Sequence, residues 1–308
     1  VNDPEFDLFI KEVCTEVTAK AGQKCTAVRR IFVSNDMRGV VADALAARLE
    51  KVILGDPRLE EVCMGALAGA GQKSDVLSKC TLFECEARRI IGDINPTLIG
   101  EGIGEGAFVA PTIFDCDDPD AATHLHTEEA FGPVACLMAY RDLDHAAILA
   151  NRGGGALVTS VITCDGEVAH RLVAASASHH GRLYFNNRDS MVESTGHGSP
   201  LPHMVHGGPG RAGGSEELGG VRAVKHYMQR TALQGPPSLL SKAAETWFAG
   251  SNTHEGPAHP FRRRFVDLQL GETLVTPPRR ITAADIIKFA DFTGDQFYAH
   301  TDPEAAAS

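Results

Sequence analysis

Segments with a helical spacing of apolar side chains alternate with short apolar runs along the first 185 residues, and this alternation restricts the possible folds most strongly. Strands are predicted at 30–33, 108–114, 134–140, 157–163 and 183–185, and helices at 3–21, 36–51, 143–151 and 167–178. Strands joined by helices of this length are typical of an α/β protein in which helices cover a largely parallel sheet.

The charge balance excludes one large class of function. The 308 residues include 29 basic and 40 acidic side chains, which gives a formal net charge of −11. Nucleic-acid affinity rests on clustered Lys and Arg that neutralise phosphates, so we expect no nucleic-acid partner. No apolar run approaches the roughly 18 residues that a membrane span needs, so we expect no membrane association.

The cysteines indicate a cellular location. All eight occur without a Cys-x-x-Cys spacing, which predicts free thiols in a reducing cytoplasm. The chain begins at Val1, and no basic segment precedes an apolar stretch, so we expect an internal start rather than a signal peptide.

Changes in composition predict three parts. Residues 1–233 carry the α/β pattern, and within them 193–220 are rich in Gly, Pro, Ser and His. Residues 234–260 are predicted to be a linker around one short helix at 238–248. A new pattern after Pro260 predicts a second domain at 261–308.

A cysteine lies between the first helix and the first strand, in the segment Ala21-Gly-Gln-Lys-Cys-Thr-Ala27. A thiol just after a helix stop at Gly22 and just before a buried strand is placed on a rigid turn, from which it can face a cleft. The thiolate is the reactive form, and Lys24 would favour it slightly. A single cysteine is more often a small buried hydrophobic residue, so Cys25 has two interpretations at this point.

This segment resembles the nucleophile motif of the aldehyde dehydrogenase superfamily, and further motifs of that family follow in order. They are Leu54-Gly-Asp-Pro57, Met64-Gly-Ala-Leu67, Ala110-Pro-Thr112, Glu129-Ala-Phe-Gly-Pro133 and a glycine-rich tail leading to Val224-Lys225. The segments Thr195–Pro202 and His206–Arg211 narrow the resemblance to the PaaZ-type bifunctional proteins of phenylacetate degradation. In these proteins an aldehyde dehydrogenase is fused to a MaoC-like enoyl-CoA hydratase.

The resemblance implies a catalytic role for Cys25. Its thiolate would attack a CoA-linked semialdehyde, and the thiohemiacetal would pass a hydride to NADP or NAD. Water would then release the acid, and the backbone N–H of Cys25 would help to hold the developing oxyanion. The resemblance also implies that Glu129 accepts hydrogen bonds from the nicotinamide ribose and that Phe131 lies beside it.

Several parts of the family's machinery precede the cysteine motif. These are the general-base glutamate, the oxyanion asparagine and most of the dinucleotide-binding domain, whereas only 24 residues precede Cys25 here. We therefore expect an internal fragment that does not oxidise aldehydes alone. The tail at 221–231 resembles the arm that pairs subunits in this family, so the full-length protein is expected to be a homo-oligomer.

A second constellation lies near the C-terminus. Thr282 and Asp285 match a capping box, and the apolar residues that follow predict a short helix ending near Gly294. Asp295 and His300 come next and resemble the MaoC-type dyad, which activates water for addition to an enoyl-CoA or for opening the ring of oxepin-CoA. Because only 48 residues follow Pro260, we expect an incomplete hot-dog segment.

A metal site is the third candidate, formed by His197, His203 and His206. Neutral imidazoles can bind Zn or Ni, but no cysteine or carboxylate completes an ordered ligand set, so we predict no metal. The four paired or tripled arginine runs are expected to be solvated faces, although those at 262–264 and 279–280 could attract an anionic CoA tail.

Two rival functions remain open. In the first, CoA rather than water resolves the Cys25 thioester, which would make the protein an acylating dehydrogenase. In the second, the chain is a non-catalytic oligomerisation module with a vestigial cysteine.

Overall fold

The computed structural model describes residues 4–104, 106–198, 206–213, 227–255, 264–273 and 280–294. The chain divides into two compact units, 1–252 and 253–308. Across the described ranges, no helix combines the length and the apolar character that crossing a membrane requires.

The first unit opens with helix α1, Pro4–Thr18, which carries acidic residues in its first turn, where they favour the helix dipole. A 3-10 turn, Ala19–Gly22, follows it. Its backbone enters the left-handed region at Lys20, Ala21 and Gly22, with φ of 54°, 52° and 69°. The α-helix therefore ends at Thr18, earlier than predicted, Gly22 ends the 3-10 turn, and the chain turns sharply just before Cys25.

Among the described residues, the main sheet of the first unit has four strands. They are β1 (Arg30–Ser34), β3 (Arg88–Ile91), β5 (Thr112–Cys116) and β6 (Val134–Tyr140). The order is β1-β6-β5-β3, in which β1, β6 and β5 run parallel and β3 is antiparallel to β5. A small parallel pair joins β2, Leu54–Gly55, to β4, Leu98–Ile99.

Helices cover both faces of this sheet. Successive side chains of a strand point to opposite sides, and in β6 both sets are apolar and buried. In β6, Ala135 and Leu137 pack with α1 and with α2, Arg38–Leu49. Cys136 and Met138 pack on the other face, against α3, Ala70–Phe83. The short helix α4, His124–Thr127, adds Leu125 to that second layer. This gives the predicted α/β arrangement of helices, sheet and helices.

A second, fully parallel sheet has the order β7-β8-β9. Its strands are Thr159–Ile162, Arg182–Asn186 and Ala232–Gln234. Helix α5, Leu143–Asn151, connects β6 of the main sheet to β7, and helix α6, Gly166–Ser176, lies between β7 and β8. A further 3-10 turn, Ala177–His179, follows α6.

The segment around residue 240 packs on this second sheet. Helix α7, Pro237–Ala243, buries Leu239 and Ala243 against Ala169, Leu183 and Phe185. Residues 234–252, which lie inside the stretch expected to be a linker, thus belong to the first compact unit. The burial of apolar side chains holds this part of the chain in place.

Three elements illustrate where the structure differs from the sequence expectation. Helix α3 and strand β3 lie in a region where no element is predicted. Only Val76, Cys80 and Phe83 of α3 are buried, so its apolar stripe is too narrow to stand out. The strand expected at 108–114 begins only at Thr112, because Pro111 has no N–H for the ladder.

The second unit contains short elements. Strands β10, His254–Glu255, and β11, Glu272–Thr273, pair in parallel, and a 3-10 turn spans Phe265–Asp267. Helix α8, Ala283–Thr293, begins with the predicted capping box of Thr282 and Asp285, and Gly294 follows with φ of 74°. These described elements do not test the expected hot-dog segment.

Candidate functional site

A cleft of about 370 Å³ opens in the first unit. Its walls come from α1, from the turn at Cys25, from β1 and from the segments around residues 129 and 157. Cys25, Glu129 and Phe131 all line it, so the structure brings together the three residues that the sequence proposes for the dehydrogenase site.

The turn at Cys25 exposes the thiol while burying its surroundings. The Ala27 N–H donates to the Lys24 carbonyl at 3.0 Å, which closes a turn with Cys25 and Thr26 at its centre. Ala21, Thr26 and Ala27 are buried, whereas Cys25 is exposed. Cys25 is therefore not a buried hydrophobic residue. The buried turn holds its thiol at the surface of the cleft.

The Cys25 turn lies directly on the segment that carries Glu129. A Cβ at Gly22 would meet the Gly132 carbonyl oxygen at 2.1 Å, so only glycine allows this close approach. Gln23 joins the two motifs as well: its amide nitrogen donates to the Phe131 carbonyl at 3.3 Å, and its Oε1 accepts from the Ala68 N–H at 2.7 Å. The distance between the two motifs is thus set by backbone contacts.

His197 holds the other side of the turn. Its Nε2 donates to the Thr26 carbonyl at 2.6 Å, which leaves Nδ1 to accept from the Ser160 hydroxyl at 2.5 Å. Burial lowers the pKa of His197 to about 4, so its ring is neutral near pH 7. Both ring nitrogens are engaged, and His197 acts as a support for the turn rather than as a metal ligand.

The other two histidines of the candidate metal trio are His203 and His206. His206 places Nε2 3.6 Å from Cys25 Sγ, and His203 lies outside the described residues. Within the described parts of the chain, no three His, Cys, Asp or Glu side chains are grouped to hold a metal ion.

Glu129 is held by Arg29. The Arg29 Nε donates to Glu129 Oε1 at 3.0 Å, and its terminal nitrogens donate to the carbonyls of Gly132 at 2.6 Å and Gly22 at 2.9 Å. Burial lowers the pKa of Arg29, while the Glu129 carboxylate opposes that shift. Phe131 stacks on the same guanidinium, with its ring centre 5.3 Å from Arg29 Cζ.

The expectation that Arg29-Arg30 forms a solvated face is wrong. Arg30 donates to the carbonyls of Leu149 and Ala150, both at 2.9 Å, and contacts His126 Nδ1 at 3.0 Å. Its guanidinium thus binds carbonyls in the last turn of α5, where the Leu149 carbonyl also accepts from the Arg152 N–H.

Two more basic residues have specific acidic partners. Arg89 donates to Glu84 at 2.7 Å and lies over the Phe114 ring, so it differs from the expected solvated face, whereas its neighbour Arg88 is 77% exposed and agrees with it. Lys24, expected to favour the Cys25 thiolate, instead binds the Glu16 carboxylate at 2.7 Å. The acidic partners lie only five and eight residues from Arg89 and Lys24, but spacing alone does not show which of the nearby charges pair.

The expected hydratase dyad is not placed. Asp295 and His300 lie outside the described residues, as do residues 221–226 of the expected subunit arm. The described helix α8 ends directly before Asp295.

Comparison with known proteins identifies the family. Residues 1–233 match the sequence profile of the aldehyde dehydrogenase family. Protein MaoC of Klebsiella aerogenes is 49% identical over 249 residues, which cover 79% of this chain and 72% of that protein. The 3,4-dehydroadipyl-CoA semialdehyde dehydrogenase of Aromatoleum evansii is 38% identical over 209 residues, covering 67% of this chain and 40% of that enzyme. The chain belongs to the aldehyde dehydrogenase family, as the sequence motifs predict.

A solved structure supports the same fold. Aldehyde dehydrogenase C of Pseudomonas syringae, determined as a mutant with NAD+ and octanal, matches with a TM-score of 0.56 and 27% identity. The match covers 74% of this chain and 43% of that one. The chain thus spans about two fifths of the length of the two named dehydrogenases.

Proposed function

We propose that the chain carries the nucleophile and part of the nicotinamide site of an NAD(P)-dependent dehydrogenase that oxidises a CoA-linked semialdehyde to the acid. The observation that carries the proposal is the exposed Cys25 thiol on the same cleft as Glu129. The relative from Aromatoleum evansii, named for a CoA semialdehyde, supports the substrate class.

The residues present fit the ribose end of a nicotinamide cofactor. The Glu129 side chain is 37% exposed, so its carboxylate can accept hydrogen bonds from ribose hydroxyls. Phe131 is 38% exposed and offers an apolar surface beside that carboxylate. Octanal and NAD+ in the related Pseudomonas syringae enzyme support this assignment. When bound, NAD(P)+ supplies the hydride acceptor.

Cys25 does the covalent chemistry. Its thiolate forms a C–S bond to the aldehyde carbon, and the carbonyl oxygen takes a proton to give a thiohemiacetal. Loss of a hydride from that carbon and of the hydroxyl proton leaves a thioester on Sγ. Water then adds to the thioester, breaks the C–S bond and releases the acid. The Cys25 N–H supports the oxyanion in the first and last steps, an effect worth about 3 kcal/mol per donor in other enzymes.

The second unit is included in the proposal as the start of a MaoC-like hydratase domain. In this assignment Asp295 and His300 activate a water that opens the ring of a CoA-linked substrate, and the semialdehyde formed passes to Cys25. The 49% identity to the Klebsiella aerogenes Protein MaoC supports a PaaZ-type bifunctional parent. The capping box that starts α8 agrees with the sequence pattern on which this assignment rests.

Selective reactivity of Cys25 tests the dehydrogenase proposal without requiring turnover. The 308-residue chain is treated with limiting iodoacetamide, and each thiol is followed by mass spectrometry. Cys63 and Cys85 are matched controls because they are also exposed. We expect Cys25 to be alkylated first and an excess of aldehyde to slow that reaction, since a thiohemiacetal blocks the sulfur.

An activated ester adds an independent readout. p-Nitrophenyl acetate should release one equivalent of nitrophenolate in a burst and leave an acetyl group on Cys25, and Cys25→Ala should abolish both. Cys63→Ala should change neither. The proposal is overturned if Cys25 reacts no faster than Cys63 and Cys85 and acquires no acetyl group.

A further inference from the structure

We propose that His206 is the acid–base partner of Cys25: its ring takes the thiol proton and returns it to the aldehyde oxygen. This inference rests on the proposed function, because it needs Cys25 to be the nucleophile. The sequence pattern makes His206 a candidate metal ligand. A catalytic role for His206 is a different assignment.

The geometry puts the two groups in direct contact. His206 Nε2 lies 3.6 Å from Cys25 Sγ, a hydrogen-bonding separation for the large sulfur atom, although the residues are 181 apart in sequence. Both side chains are exposed, so a substrate carbonyl can approach the pair. A neutral imidazole nitrogen can accept the S–H proton, and the imidazolium can donate it again.

The backbone that follows His206 is held in place. A Cβ at Gly181 would lie 1.6 Å from the Gly207 carbonyl oxygen, so this segment touches the chain at the start of β8. A Cβ at Gly155 would lie 2.0 Å from the Pro209 carbonyl oxygen. Gly208 also donates its N–H to the Gly213 carbonyl at 2.8 Å. His206 is therefore attached to a turn that packs on glycines at two sites.

The charged groups nearest to Cys25 in sequence and on the cleft have other partners. Lys24 binds Glu16, and Arg29 binds Glu129. Arg211 donates to the Thr127 carbonyl and lies 4.0 Å from Glu129.

The other titratable groups on the cleft wall are also engaged. His197 forms hydrogen bonds with the Ser160 hydroxyl and the Thr26 carbonyl, and Glu12 accepts one from Asn186 at 2.7 Å. The remaining members of this set are Glu128, which pairs with Lys79, and His126, which bonds Arg30 and the Pro119 carbonyl. Among the described side chains, His206 is the titratable group whose ring nitrogen contacts Cys25 Sγ.

The proton balance of the first step follows. The S–H bond of Cys25 breaks and its proton moves to Nε2 of His206. The thiolate electron pair then forms the C–S bond while the carbonyl π pair moves to oxygen. The imidazolium gives its proton to that oxygen, which yields the thiohemiacetal and restores the neutral ring. No oxidant is consumed in this step, so it can be tested without the nicotinamide cofactor.

The test compares the pH dependence of Cys25 alkylation in the wild-type chain and in His206→Gln. Glutamine keeps hydrogen-bonding groups but cannot take the proton near neutral pH. We expect alkylation at pH 6.5 to be at least about tenfold slower in the variant and the two rates to converge above about pH 9.5, where a thiol ionises unaided. His179→Gln is the matched control, because His179 is exposed and its ring contacts Ser178.

A second measurement keeps the outcome independent of folding. In His206→Gly, added imidazole should restore fast alkylation of Cys25 at pH 6.5, an effect that a purely structural role of His206 would not produce. Identical pH profiles for wild type and His206→Gln, or absence of imidazole rescue, would overturn the inference. If Cys25 shows no preference over Cys63 at any pH in the wild-type chain, the proposed function itself is wrong. The two failures are therefore distinct.

Discussion

Arg29 binds Glu129 through a 3.0 Å hydrogen bond from Nε to Oε1, and the same guanidinium donates to two backbone carbonyls. One carbonyl belongs to Gly22, before the nucleophile, and the other to Gly132, after the carboxylate. A single side chain thus joins both motifs of the site. It also orients the carboxylate before any cofactor arrives.

Replacing Arg29 by Met should destabilise the chain strongly. The variant removes three hydrogen bonds and takes the guanidinium away from the Glu129 carboxylate and the Gly22 carbonyl, whereas the Gly132 carbonyl keeps the Val134 N–H; the loss should cost about 2–4 kcal/mol of unfolding free energy. The measurement is chemical denaturation followed by circular dichroism. Alkylation of Cys25 should also lose its preference over the other thiols, because the Gly22 carbonyl is no longer anchored.

Arg58→Met provides the control. Arg58 also pairs with a carboxylate, that of Asp56, but its side chain is 85% exposed. Exposed ion pairs contribute little to stability because solvent screens them, so this variant should unfold close to wild type. Equal losses in both variants would contradict the joining role assigned to Arg29.

Gly22→Ala should disturb the site from the backbone. At φ of 69° an alanine is strained, and its Cβ would lie 2.1 Å from the Gly132 carbonyl oxygen, so the two motifs must move apart. We expect a loss of about 2 kcal/mol or more, together with slower alkylation of Cys25. Gly39→Ala is the matched change, because nothing lies within 4 Å of its Cβ and Gly39 is in helix α2. That variant should be neutral or slightly more stable, by up to about 1 kcal/mol; comparable damage from both would count against the close approach.

Stability should fall as the pH decreases from 7 to 4. Burial lowers the pKa of His126, His180 and His197 to about 4 each, whereas an unfolded histidine titrates near 6.5. Between these values the unfolded chain binds more protons than the folded one. Each histidine therefore contributes stability that is present above about pH 6.5 and lost towards pH 4, by at most about 3 kcal/mol.

His180→Gln isolates one of these contributions. His180 Nδ1 contacts the Thr159 hydroxyl at 2.9 Å and Nε2 contacts the Asn151 carboxamide oxygen at 3.1 Å. The variant should show a shallower decrease of the unfolding midpoint between pH 7 and 4, measured by calorimetry. The neighbouring exposed His179→Gln should keep the wild-type slope. A steeper slope in His180→Gln would show that the sign of the linkage is wrong.

The elements with strong local signals are the ones that sequence predicts well. The apolar run after Pro133 predicts a strand at 134–140, and β6 is Val134–Tyr140. The helix predicted at 143–151 is α5, whose cap Asp142 accepts from the His145 N–H at 2.8 Å. Both signals are local in the chain, so no tertiary contact is needed to read them. Helix α3 lacks such a signal, because tertiary packing of three side chains holds it.

The same contrast between local signals and tertiary contacts applies to the residues of the candidate site. Motif positions place Cys25, Glu129 and Phe131 on one cleft, as the family resemblance implies. Arg29 escapes sequence analysis because its acceptors lie 7 and 103 residues away, at carbonyl groups that carry no side-chain signature. His206 is visible only as a possible metal ligand, because its contact with Cys25 spans 181 residues. Long-range contacts are thus what the sequence leaves undetermined.

Removal of residues 253–308 should leave the first unit folded. The three buried apolar clusters of the described chain contain no residue beyond Ala243. In the described part of the second unit, Ala290 is buried, but Phe289 is 65% exposed and Phe292 90% exposed. Because burial of apolar surface supplies most of the stabilising free energy, the first unit should be stable on its own described core.

We therefore expect the chain shortened to residues 1–252 to unfold in a single transition within about 2 °C of the full chain. Cys25 should keep its preferential alkylation, and binding of a hydrophobic dye should decrease because the exposed apolar face of α8 is gone. Phe289→Ser in the full chain is a milder version that should lower dye binding without changing the unfolding midpoint. A decrease of the midpoint by more than about 5 °C after truncation would show that residues 253–308 stabilise the first unit, and their exposed aromatic side chains would then need a different explanation.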